Sequence, residues 1–142
     1  MGITCIAKEL SNEQRAAMAA PALFHPRYQI TVGRTYLVLG ISFLINSSVF
    51  GNCCLYVIED DAGRCVFVPS ALTEVMDGRV SISWLARSNE LFGSILWPEE
   101  FHEEFFHDRL SNCEPGPIET FQAVINRLKS EFGTPGTGTP GT

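Results

Sequence analysis

The chain has 142 residues, 45% of them hydrophobic and 18% charged, which are the proportions of one globular domain around one core. Its formal charge is -6 with ten Lys and Arg in all, which argues against a sequence-independent grip on nucleic acid, because phosphate binding rests on those side chains. The longest apolar run, around 36–45, is interrupted by Gly40 and Ser42 and falls far short of the roughly 20 residues a membrane-spanning helix needs.

Five cysteines are an odd number, and residues 1–20 lack the basic start and apolar core of a secretory leader. Reduced thiols in a cytoplasm are therefore expected. Cys53 and Cys54 are adjacent, so on a strand they point to opposite faces, a poor geometry for a shared metal.

Ser11 and Gln14 have the spacing of a capping box, and the good helix formers that follow predict a short helix over 11–20, stopped by Pro21. His25 and Pro26 force an extended backbone. From 27 to 68 the chain is dense in β-branched and aromatic residues, which suit a pleated, half-buried surface. A turn at Val32, Gly33 and Arg34 precedes a long strand over 36–43, bent at Gly40. The next strand, over 53–59, is apolar on both faces and so central in a sheet. The Asp60, Asp61, Ala62, Gly63 connection returns it antiparallel over 64–68, where Pro69 ends it. Residues 72–76 are ambiguous between strand and loop. Val80, Ile82 and Trp84 alternate with Ser81 and Ser83, the pattern of a half-buried strand over 80–85. A last strand over 95–97 stops at Pro98.

Two helices complete the domain. Pro98 opens one over 99–110, with acids concentrated toward its start, where the helix dipole favours them. Pro117 opens another over 118–132, whose Phe121, Val124, Ile125, Leu128 and Phe132 make one amphipathic stripe capped by Gly133. The domain is thus 1–132. Residues 133–142, GTPGTGTPGT, cannot build a core and read as a disordered or appended tail.

Five to six closely connected strands with helices segregated at the ends predict an α+β fold: an antiparallel curled sheet or small barrel, one short N-terminal helix and two C-terminal helices. The block from Val32 to Leu85 resembles an SH3-like barrel. The resemblance is carried by the opening Val32, Gly33, Tyr36, Val38, the Asp60, Asp61, Gly63 hairpin, and the return Val68, Pro69, Leu72.

No Ser/His/Asp, Cys/His or paired-carboxylate constellation is present, so no catalytic residue and no cofactor is expected. His102 and His107 bracket a string close to the H-E-x-x-H zinc motif, but they are five apart instead of four. On one helix their rings would diverge by about 140°, so no metal site is expected there. Glu59, Asp60 and Asp61 read as turn chemistry and not as a calcium site. Trp84 and Trp97 could line a peptide groove of the SH3 kind, but core positions suit them better.

The sharpest charge feature runs from Glu99 to Glu114, where six carboxylates face one arginine, Arg109. Phe101 and Phe105 are expected to anchor this helix inward. Phe106, turned by about 100°, would lie at its border. Glu99, Glu100, Glu103, Glu104, Phe106 and Asp108 are therefore the candidate residues for binding a basic protein partner. In size, acidity and a compact β core without a catalytic motif, the chain resembles small bacterial immunity proteins and antitoxins. That resemblance implies direct neutralisation of a basic toxin, and it brings no functional residue with it. The rival expectations are an SH3-like adaptor that reads a peptide of a larger complex, and an enzyme using Cys53, Cys54 or His102.

Overall fold

The computed structural model describes residues 1–20, 27–48, 50–90 and 93–132. Pro21, His25, Pro26, the Gly133 cap and the 133–142 tail lie outside them. The described elements are β1 (Gly2–Cys5), α1 (Asn12–Ala17), β2 (Thr35–Leu37), β3 (Gly40–Ser47), β4 (Gly51–Glu59), β5 (Cys65–Pro69), β6 (Thr73–Asp77), β7 (Trp84–Asn89), β8 (Gly93–Pro98), α2 (Phe106–Ser111) and α3 (Pro115–Phe132). Single 3-10 turns stand at Ser70–Leu72 and Glu99–His102. No helix among the described residues is long and apolar enough to cross a membrane.

The fold is α+β, with every strand pairing antiparallel. Two open sheets form, one in the order β2-β1-β6 and one in the order β5-β4-β3-β8-β7. The expected curled sheet is present, but the described strands do not close into a barrel. Eight strands replace the expected five or six, and the additional pairing is β1 against β6. These two short segments are about seventy positions apart, so no local pattern announces their pairing.

Local chemistry sets several boundaries. Ser11 caps α1 reciprocally: the Gln14 amide donates to Ser11 Oγ (3.1 Å), and the Ser11 amide donates to Gln14 Oε1 (2.9 Å). The predicted 36–43 strand divides at Val38 and Leu39, and the chain passes there from the small sheet to the large one. Gly40 opens β3 because β8 runs too close for a side chain. A Cβ there would sit 2.7 Å from Trp97 Cδ1 and 3.0 Å from the Leu96 carbonyl oxygen. β4 is paired on both edges, as its two apolar faces require.

The Asp60–Gly63 connection is turn chemistry. Asp60 Oδ1 accepts the amides of Ala62 and Arg64, each at 2.9 Å, and Gly63 supplies φ +79. Asp61 then ties the hairpin to the preceding segment. It accepts Thr31 Oγ1 (2.6 Å), Arg34 Nη1 (2.7 Å) and Tyr36 Oη (2.7 Å). These bonds from Thr31 and Tyr36 hold the Asp61 carboxyl below the ordinary aspartate range.

The predicted strand over 80–85 is corrected. Only Trp84 and Leu85 belong to β7, and residues 80–83 form a loop in which Val80 and Ile82 are 58% and 93% exposed while Ser81 is buried. The cause is tertiary. Glu131 near the end of α3 accepts Ser81 Oγ at 2.7 Å and the Ile82 amide at 2.9 Å, which turns the serine inward and the aliphatic residues out.

The large sheet has a core on each face. Ile41, Tyr56, Ile58 and Val68 pack with the small sheet, Leu10, Met18 and Trp84. Val57, Ile95 and Trp97 pack with Phe101, Phe106 and the α3 stripe Phe121, Val124, Ile125 and Leu128. Each fully buried side chain of that stripe contributes about 1.5–3 kcal/mol of transfer free energy, which holds α3 to the sheet.

Candidate partner-binding surface

The segment from Pro98 to Asn112 does not form the single helix expected over 99–110. A 3-10 turn over Glu99–His102 is followed by Phe105 in the left-handed conformation (φ 62, ψ 12), and α2 begins only at Phe106. The reason lies in two rings. Phe101 and Phe106 are five residues apart, so on one continuous helix they would point about 140° away from each other. The break lets both turn inward. They stack at 5.1 Å between centroids, 20° from parallel, and Phe101 also meets Phe121 at 6.2 Å. A left-handed non-glycine residue costs about 1–2 kcal/mol, less than the gain from burying two phenylalanine rings.

Phe101 is inward as expected, whereas Phe105 and Phe106 exchange the places expected of them. Phe106 is 2% exposed and belongs to the core, whereas Phe105 is 64% exposed. Phe106 is withdrawn from the candidate surface, and Phe105 takes the position assigned to it. The signal was available in the five-residue spacing of Phe101 and Phe106, which no regular helix can bury on one side.

The six acids also divide. Glu100 accepts both terminal nitrogens of Arg127 on α3, at 2.7 and 3.1 Å, and the Arg127 guanidinium holds its carboxyl below the usual range. Glu114 accepts Arg109 Nε at 3.2 Å, and Glu103 lies 3.6 Å from the same guanidinium while staying largely exposed. Glu99, Glu104 and Asp108 are exposed and make no ion pair among the described residues. The exposed acids nearest Phe105 in sequence are therefore Glu103, Glu104 and Asp108, with Glu99 further upstream.

The break also changes the setting of the two histidines. His102 Nε2–H donates to the carbonyl of Leu85 (3.0 Å) and lies 3.2 Å from that of Trp97, which assigns the proton to Nε2. The His107 ring sits among Trp97 (4.7 Å), Phe67 (5.2 Å), Phe106 (5.4 Å) and Phe101 (5.6 Å). Burial there pushes its pKa down to about 4. Among the described residues no three His, Cys, Asp or Glu side chains converge as a metal would require.

The remaining candidates are placed as follows. Burial pushes the Cys53 and Cys54 thiols up to about 11 each and Cys65 to about 12, and Cys113 is exposed. Trp84 and Trp97 lie in separate cores, so together they line no groove. No protein-family model matches the chain, and neither curated proteins nor solved structures provide a match.

Proposed function

We propose that the protein is a small cytoplasmic binding protein of the immunity or antitoxin kind, which neutralises a basic protein partner by occupying it directly. The observation that carries this reading is Phe105. A large aromatic ring stands 64% exposed on a left-handed backbone, with the exposed Glu103, Glu104 and Asp108 within three residues of it in sequence. Exposed aromatic anchors with charged surroundings are the composition of an interface centre, and a strained backbone held in place by a packed core fits a functional position. The acids would steer a cationic partner toward the ring, and the ring would slow its release.

Five free thiols, one buried, three half-buried and one exposed, suit a reducing cytoplasm. Thiols raised to about 11 carry little thiolate at neutral pH, which weighs against Cys53 and Cys54 as nucleophiles. Burial of Trp84 and Trp97 weighs against a peptide groove of the SH3 kind.

The test is affinity purification of the tagged protein from its native host in parallel with Phe105→Ala. A basic protein recovered by the wild type and lost by the variant, with the variant's circular dichroism unchanged, supports the reading. Recovery of the same partner in equal yield by both proteins places the interface elsewhere.

A further inference from the structure

The core on the helix side of the large sheet is open at one end. Phe121, Val124, Ile125 and Leu128 of α3 are buried, but Ile118, one turn earlier on the same stripe, is 40% exposed. Phe67 of the edge strand β5 and Leu110 of α2 pack against that core and are only partly buried. All three line a cleft of about 560 Å³ that the Asp60–Gly63 hairpin borders, a volume within the range of small-molecule sites.

The cleft carries no surplus of either charge. Arg64 lies 3.7 Å from Asp60 Oδ2. Arg27, the second guanidinium of the lining, is matched in number by Glu59, which pairs with Cys65 in the β4–β5 ladder and accepts Gln122 Nε2 at 3.2 Å. Two further groups of the lining are uncharged at pH 7, because burial raises the Cys65 thiol to about 12 and lowers the His107 ring to about 4. A ligand of either charge would give up its hydration here with no opposite surplus to offset the loss. An uncharged one gives up far less, and it removes the open sides of Phe67, Leu110 and Ile118 from water. Gln29 and Ser111 in the lining supply neutral hydrogen-bonding groups for one polar end.

We propose that this cleft binds an uncharged, largely apolar small molecule with one hydroxyl-like end, whose body completes the core between Phe67, Leu110 and Ile118. The site is independent of the partner surface around Phe105. The probe is 1-naphthylmethanol. Its charged counterparts are 1-naphthoate and 1-naphthylmethylammonium, which carry the same ring system. Each is titrated into the full chain at pH 7 while the amide resonances of Val66, Phe67, Leu110 and Ile118 are followed.

The alcohol should shift these resonances saturably, and both ions should bind about tenfold or more weakly, the scale of an uncompensated loss of hydration. Ile118→Ser, a change at a half-exposed position, should leave the fold intact and weaken the alcohol several-fold. Binding of either ion as tight as that of the alcohol, alcohol binding indifferent to Ile118→Ser, shifts confined to other parts of the chain, or no saturable shift up to millimolar alcohol would each overturn the proposal.

Discussion

Arg127 reaches from α3 to grip Glu100 through two hydrogen bonds of 2.7 and 3.1 Å. One of the acids expected to meet a partner is therefore a fastener inside the molecule. The pair is partly exposed, so it stabilises the fold by no more than about 1 kcal/mol. The triple variant Glu99→Gln, Glu103→Gln, Glu104→Gln should slow association with a basic partner markedly at low salt and little at high salt, with stability nearly unchanged. Glu100→Gln should do the reverse, lowering the thermal midpoint slightly while leaving the association rate in place. Stopped-flow association across a salt series separates the two, and a salt-independent wild-type rate would sink the steering argument.

The two adjacent phenylalanines should part company on substitution. Phe106→Ala removes a fully buried ring and should cost about 3–5 kcal/mol in urea unfolding. Phe105→Gly removes an exposed ring and relieves the left-handed backbone, so its stability should equal or exceed that of the wild type while partner binding weakens. A large stability loss in Phe105→Gly would show that this ring packs.

His107 should make the fold acid-sensitive. Its folded pKa of about 4 lies below the unfolded value near 6.5, so between those limits the unfolded chain takes up a proton that the folded chain refuses. Stability is then complete above about pH 6.5, falls as the pH drops toward 4, and flattens below it. The loss between pH 7 and pH 4 amounts to about 3 kcal/mol. Asp108 nearby opposes the shift and His102 adds to it, both less than burial. His107→Phe should flatten this part of the stability profile relative to wild type, and parallel profiles for the two proteins would assign the acid sensitivity to other groups.

Thiol reactivity should follow burial. Iodoacetamide at pH 8 should modify exposed Cys113 first, with Cys53, Cys54 and Cys65 protected in the native state and released by urea. Rapid native modification of Cys53 or Cys54 would reopen the thiol-enzyme reading.

The sequence by itself determined whatever depends on neighbouring residues. Ser11 and Gln14 announced the α1 cap, Asp60 and Gly63 the hairpin, and the Phe121-to-Leu128 stripe the face that α3 buries. Each is decided within a turn of helix or the length of a hairpin, where backbone geometry and side-chain chemistry act on each other directly. Tertiary structure decided the rest. The alternation at Val80–Leu85 is a sound strand pattern, but Glu131, some fifty residues away, captures Ser81 and the Ile82 amide and holds them in a loop. The 99–110 segment has the composition of a helix, but the sheet and α3 offer burial to both Phe101 and Phe106, and one helix cannot present two rings five residues apart to the same core. Burial of a ring is worth more than a continuous turn of helical hydrogen bonds, so the helix breaks and Phe105 is turned out to solvent.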